Sequence, residues 1–341
     1  MLRRLFKLVL IAAILAASIA GWLWYDMQTS LQQALNITPQ TARLEVRQGS
    51  SLREVAKDLH ERGVLRFPRY LLWAARQQGR ASQIKAGEYE IKPGTTPLAL
   101  LDMLVAGKVT EYSLTLVEGW TFGQLLGAID ADRRLKHELT CLHNEAVMEA
   151  VGLPGQHPEG RFFPATYRFA RGATDTEILK RAFVKMGEVL DKEWEGRDLG
   201  VPLKQPYEAL ILASIVEKET GAARERPEIA GVFTRRLQKG MRLETDPTII
   251  YGLGLAYDGN LRKRDLQAPG PYNTYINQGL TPTPIAAPGQ AAIHAALHPS
   301  PGNALFFVSR NDGSHEFSET LDDHNRAVTR FQKRQKMARH D

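Results

Sequence analysis

The spacing of apolar and polar positions changes several times along the chain, and each change predicts an element. After Arg3, Arg4 and Lys7, residues 8–25 carry no charge and are mostly aliphatic. That is long enough for one helix to cross the hydrocarbon core of a bilayer. The basic flank predicts a cytoplasmic start, with Trp22, Trp24 and Tyr25 as an aromatic anchor at the outer interface. Ser18 and Ala20 before Gly21 resemble a signal-peptide cleavage site, but the bulky aromatics that follow suit a retained anchor better. Either way, the remainder is expected outside the cytoplasmic membrane. Residues 26–41 are largely polar and predict a stalk.

Three strand, turn and helix units follow. Arg43 to Arg47 alternates like a strand, and Ser51 with Glu54 predicts a capping box at the start of a helix that buries Leu52, Val55, Ala56 and Leu59 and stops at Gly63. Gly87 to Ile91 is a second strand, followed by a helix carrying Leu98, Leu101 and Leu104 and ended by Gly107. Tyr112 to Val117 is a third, turning at Glu118-Gly119-Trp120-Thr121 into a helix over 122–129. Glu159 to Tyr167 is a compact aromatic, turn-forming segment. A helix over 176–194 with Ile178, Leu179, Ala182, Met186 and Val189 on one side is scaffold, and Pro227 opens another helix with Ile229, Val232, Phe233 and Leu237 buried.

The most informative stretch is Glu208 to Thr220. Apolar residues occupy every side of it from Ala209 to Val216, so it reads as a core helix, and it runs into Glu217 and Glu219. Two positions apart, these carboxylates point in different directions, and neither has a basic residue three or four places away within the helix. A carboxyl group held against apolar surroundings resists ionisation and becomes a proton donor near neutral pH. A helix end that simply reaches solvent would show the same pattern.

Downstream, Leu243 to Gly254 reads as a loop with hydroxyls, a carboxylate and an aromatic ring around Pro247, and Tyr272-Asn273-Thr274-Tyr275 adds aromatics beside amides. Sugar rings need such surfaces: apolar faces for stacking and polar edges for hydrogen bonds. The net charge of +6 would suit nucleic acid in a cytosolic protein, but export favours anionic lipid or a carboxylate-bearing polymer. One cysteine, Cys141, excludes an internal disulfide and reads as a small core residue. His294 and His298 have helical metal-pair spacing, but there is no His-Glu-x-x-His arrangement or cysteine cluster, so they read as surface or packing residues. No phosphate-cradling glycine motif occurs, and no cofactor is indicated.

Three motifs in one order, Leu212 to Glu219, Thr245-Asp246-Pro247-Thr248 with Tyr251-Gly252, and Tyr272 to Tyr275 with Gly279-Leu280, resemble those of the MltG (YceG-like) endolytic murein transglycosylases. The likeness runs from the anchor almost to the C-terminus, where Phe306-Phe307-Val308, His315-Glu316-Phe317 and Asp323-His324-Asn325 look like the family's closing strand and hairpin. The chain departs from the family at Ala165, where an acidic residue is usual, and near Thr281, Thr283 and Ala287. The first two strand and helix units look like LysM-type modules, which bind N-acetylglucosamine-containing polymers, and the expected architecture is α+β: cytoplasmic tail 1–7, transmembrane helix 8–25, stalk 26–41, a small α/β LysM-like glycan-binding domain at 42–117, and a larger α+β catalytic domain at 118–341. The resemblance implies an inner-membrane protein with its catalytic region in the periplasm.

It further implies cleavage of N-acetylmuramic acid to N-acetylglucosamine bonds within nascent peptidoglycan strands, leaving 1,6-anhydromuramic ends, in partnership with peptidoglycan synthases (penicillin-binding proteins). The family motif puts Glu217 in the catalytic role. Glu219 is the reserve candidate, and Thr245, Asp246, Thr248, Tyr251, Asn273 and Tyr275 are supporting or sugar-contacting candidates. Such an enzyme manages with one carboxyl group, which protonates the leaving oxygen and then takes a proton from the sugar's own C6 hydroxyl. Two other readings stay open: a noncatalytic glycan-binding scaffold, and a muramidase using Asp246 or Glu219 as a second carboxylate.

Overall fold

The computed structural model describes residues 2–140 and 142–333; Cys141 lies outside them. The elements in order are α1 (Leu2–Gln32), β1 (Arg43–Val46), α2 (Leu52–Glu61), α3 (Pro68–Gln77), β2 (Gly87–Glu90), α4 (Pro97–Ala106), β3 (Glu111–Thr115), α5 (Phe122–Asp130), α6 (Asn144–Ala150), β4 (Thr166–Ala170), α7 (Asp175–Glu195), α8 (Pro206–Glu219), α9 (Arg226–Gln238), α10 (Asp246–Leu253), α11 (Lys263–Gln267), α12 (Gln290–Leu297), β5 (Phe306–Ser309), β6 (His315–Ser318) and α13 (Leu321–Val328). The sheets are two-stranded: β1–β2, β3–β4 and β5–β6. The class is a mixture of helix and small sheets.

The chain divides into two compact units. The first comprises residues up to Tyr112 with Arg168–Gly172, and the second comprises Ser113–Tyr167 with Ala173 onward.

In the first unit, β1 pairs antiparallel with β2 in the register Arg43↔Glu90 to Val46↔Gly87, with α2 and α3 between them in sequence. Alternation in β1 puts Leu44 and Val46 inward against Leu52, Val55, Leu59, Leu71, Tyr89 and Leu101. The Ser51–Glu54 capping box forms, with Ser51 N–H donating to Glu54 at 2.8 Å, and Gly63 ends the turn beyond α2 at φ +72°. From Phe6 to Gln32, α1 is long and apolar enough to cross a membrane, and none of its most apolar window is buried. Residues 26–32, the first part of the expected stalk, continue α1 to Gln32, where Met27 and Leu31 find apolar partners in Ala74, Tyr70 and Leu98. The short helix α3 had no counterpart in the sequence reading.

The core of the second unit is built on α8. Every residue from Ala209 to Val216 is buried, as its uninterrupted apolar run requires, with α7, α9 and α12 packed around it. Ser214 is the polar exception. Its hydroxyl donates to Ile211 O at 2.7 Å and accepts from Ile285 N–H at 3.0 Å, which ties the 281–289 segment to the helix. The closing hairpin forms, with Phe306↔Ser318 to Ser309↔His315 in register, but Asp323, His324 and Asn325 lie on α13.

Candidate active site

The two carboxylates at the end of α8 have different surroundings. The Glu217 side chain is 6% exposed, and both of its oxygens are engaged: Oε1 pairs with Arg226 Nη2 at 2.9 Å and Oε2 accepts from Gly289 N–H at 3.0 Å. The cation comes from the first residue of α9, beyond the break after α8, where in-helix spacing could not reveal it. Glu217 therefore fastens the end of α8 to α9 and to the 287–289 segment, which also bonds the Glu118 turn through Gly119 N–H to Ala287 O at 2.8 Å.

Glu219 faces the other way, into a cleft of about 480 Å³ shared with Glu244, Asp246, Tyr275, Phe306, Phe307 and His315. Among the described residues no cation pairs with it. Burial raises its pKa to about 7, the nearby Asp246 charge adds to the rise, and a hydrogen bond from Thr245 Oγ1 opposes it. The carboxyl thus holds its proton up to neutrality.

The stretch read as a loop around Pro247 is helical. Asp246 and Pro247 are the first residues of α10, positions where a carboxylate and a ring without N–H are both favourable. Thr245 stands at the N-cap, but its hydroxyl goes to Glu219 rather than to the helix. Asp246 Oδ1 accepts from Tyr275 OH at 2.7 Å, and burial with this bond pushes the phenol's pKa up.

Glu219, Asp246 and Tyr275 are thus brought together at the cleft, with Thr245 behind them. The remaining candidates do not line it. Thr248 is fully buried, bonding Thr245 O at 2.7 Å and Thr274 Oγ1 at 2.9 Å. Asn273 is buried and clamps a turn, donating to Ala268 O at 2.8 Å and accepting from Tyr275 N–H at 2.9 Å. Tyr251 donates to Glu159 at 3.1 Å and packs edge-on against Tyr272.

Several functional-looking residues escaped the sequence reading. Arg236 is buried under the cleft, donating to Leu305 O at 2.7 Å and to Arg242 O, Leu243 O and Glu244 Oε2 at 3.0 Å each, with its guanidinium 5.0 Å from the Phe306 ring centre. It holds Glu244 in a left-handed conformation, φ +53°, that a non-glycine residue seldom adopts. Glu225 fixes the β6 wall by bonding His315 Nδ1 at 2.7 Å. Glu159 is 4% exposed, and burial lifts its pKa to about 7. It accepts from Phe122 N–H at 2.9 Å as well as from Tyr251. An acid in an aromatic turn segment with no basic partner at helical spacing was the available signal for it.

A larger cavity of about 820 Å³ lies in the first unit, but its charged walls are largely neutralised by pairs such as Arg62–Asp58 and Arg171–Glu88. His294 sits 2.8 Å from Glu193 and His298 3.3 Å from Asp198, each a histidine–carboxylate pair.

Fold and site together define an α+β protein whose core helix delivers a protonatable carboxyl to an open, aromatic-walled cleft. The chain belongs to the YceG-like family, whose model matches residues 44–330. It is 31% identical over 312 residues to an endolytic murein transglycosylase of Bacillus subtilis (strain 168), with 85% of each chain covered. The protein of that name from Streptococcus pneumoniae (strain D39) is 27% identical over 322 residues, covering 82% of this chain and 56% of the relative. A crystal structure of a yceG-like protein from Listeria monocytogenes superimposes with a TM-score of 0.53 at 28% identity, covering 84% of this chain and 98% of that one.

Proposed function

We propose that the protein is a membrane-anchored lytic transglycosylase that cuts peptidoglycan strands internally, and that Glu219, rather than Glu217, is its acid and base. The observation that carries the assignment is the contrast at the end of α8: Glu217 is tied into an ion pair, whereas Glu219 faces the cleft with a pKa near 7. A protonated Glu219 donates to the glycosidic oxygen as the bond from the anomeric carbon breaks. The resulting carboxylate then takes the proton of the C6 hydroxyl on the same muramic residue, and O6 closes onto the anomeric carbon. The attacking group is already part of the bound sugar, so proximity supplies much of the acceleration. Thr245 orients the carboxyl, and the Phe306 and Phe307 side gives sugar rings an apolar surface.

The antiparallel β1–β2 pair with two intervening helices supports a LysM-like glycan-binding role for the first unit. The basic residues ahead of α1's apolar run support a cytoplasmic N-terminus, with the rest on the outer side of the inner membrane, in the periplasm. There the enzyme meets strands as membrane-bound synthases release them. A hydrolytic reading has one observation in its favour, since Asp246 shares the cleft, but Tyr275 already occupies one of its oxygens.

Mass spectrometry of peptidoglycan products tests both readings. The wild-type chain in detergent should yield anhydromuramyl ends, Glu219→Gln none, and Glu217→Gln a lowered melting temperature with cleavage retained at temperatures where it is folded. Reducing ends would replace the transglycosylase with a hydrolase, and cleavage by Glu219→Gln would remove Glu219 from its role.

A further inference from the structure

We propose that α3 is an interfacial helix that lies in the anionic phospholipid headgroup layer of the leaflet from which α1 emerges, so that the first unit is docked on the bilayer and not merely tethered to it. The inference rests on α1 being a membrane anchor. Two contacts set the depth of α3. The ring of Trp73 packs edge-on against Trp24 with centroids 5.9 Å apart, and Tyr70 OH donates to Asp26 at 2.7 Å. Below them, Met27, Leu31 and Ala74 form one buried apolar cluster.

Trp24 is the penultimate residue of the uncharged run that begins at Leu8, a run roughly 27 Å long as a helix, close to the thickness of a hydrocarbon core. If α1 spans the bilayer, Trp24 marks the interface, and Trp73 is held at the same level.

The chemistry of α3's outward side fits that level. Arg69, Trp73 and Arg76 recur at helical spacing on one face, and Arg66 continues the line just ahead of the helix. All four are exposed, with Trp73 at 40%, while Leu71, Ala74 and Ala75 take the buried side. From Val64 to Lys85 the chain has five cationic residues and no Asp or Glu. Of these, Arg80 is neutralised by Asp102, whereas Arg66, Arg69 and Arg76 have no ion-pair partner among the described residues. Arg66 and Arg69 lie over the rings of Phe67 and Tyr70, and an amphipathic indole flanked by guanidinium groups with no carboxylate partner among the described residues, held beside the end of a membrane span, complements a layer of phosphodiester anions.

The test uses the full chain in nanodiscs of phosphatidylcholine alone or with one-third phosphatidylglycerol, doped with a headgroup-spin-labelled lipid that quenches tryptophan. In a background with Trp22, Trp120 and Trp194 replaced by Phe, Trp73→Phe leaves Trp24 as the lone emitter and Trp24→Phe leaves Trp73. Both indoles should be quenched to a similar degree. Amide exchange across α3 should slow several-fold in the anionic discs, and an Arg66→Gln, Arg69→Gln, Arg76→Gln triple variant should lose that lipid dependence while Trp24 remains quenched. Quenching of Trp24 without Trp73, or α3 exchange that ignores the lipid, would overturn the docking alone. Quenching of neither would overturn the anchor reading and the docking with it.

Discussion

Thr245 Oγ1 donates its hydrogen bond to the carboxyl of Glu219 and leaves the N-terminus of α10 without a side-chain cap. A threonine in that position ordinarily stabilises its own helix by about 1 kcal/mol. Here the bond goes to the proposed acid and holds its pKa below what burial alone would give. Thr245→Val should therefore raise the Glu219 pKa and move the alkaline limb of kcat/KM upward by up to about one pH unit, since a hydrogen bond to a charged group is worth about 1.5 kcal/mol. A pH–rate profile in which that limb stays fixed would separate Thr245 from the acid.

Activity itself should fall as pH rises past about 7, because the form that protonates the leaving oxygen is the neutral carboxyl. Glu219→Gln should lower kcat by roughly 10²–10⁴ and should leave the melting temperature at or above that of the wild type. A large loss of thermal stability in this variant would mean that its inactivity reports unfolding.

Glu217 and Arg226 should behave in the opposite way. Both side chains are nearly buried, so Arg226→Met leaves a carboxylate without its cation and should cost about 3 kcal/mol or more. Denaturant unfolding of Glu217→Gln, Arg226→Met and the double variant should give a favourable coupling energy. Additive losses would show that the pair contributes nothing of its own.

Glu159 links stability to pH. Its folded pKa of about 7 exceeds the ordinary 4.5, so between those values the unfolded chain releases a proton that the folded chain keeps. The unfolded state then binds fewer protons, and stability falls as pH rises from about 4.5 through 7, by up to roughly 3 kcal/mol for a shift of this size. Glu219 adds a loss of the same sign. Melting curves of Glu159→Gln should be flatter across this window than those of the wild type, and an unchanged slope would refute the assignment.

Ser214→Ala removes two hydrogen bonds inside the core and leaves Ile285 N–H without its acceptor. A loss of about 1–3 kcal/mol is expected, readable as a drop in denaturant midpoint. A midpoint within error of wild type would mean that the 281–289 segment finds another partner.

Features set by local pattern were legible in the sequence. The all-round apolar run of α8, the Ser51–Glu54 cap and the buried face of α7 each follow from spacing within one element. Which of Glu217 and Glu219 is ion-paired was not legible, because Arg226 lies nine residues from Glu217 across a helix break and only tertiary packing brings it back. The Asp246-Pro247 pair reads equally as a loop or a helix start, because the same residues that bend a chain also open a helix, and nothing local separates the two. The burial of Glu159 was not legible, because it depends on Phe122 and Tyr251, which are distant in sequence. α3 is as long as α2, but it has no capping side chain at Phe67 and its apolar residues run without a break from Leu71 to Ala75, so no helical period stands out.

The unbroken course of α1 into the first unit makes the anchor act like a screw thread. Each residue inserted into the apolar run would turn everything beyond it by about 100° and advance it about 1.5 Å. The length of that run therefore encodes an azimuth as well as a height. A one-residue insertion near Gly21 would point the outward face of α3 in a new direction while keeping every contact of the folded unit intact, and a helical turn's worth of residues would nearly restore it.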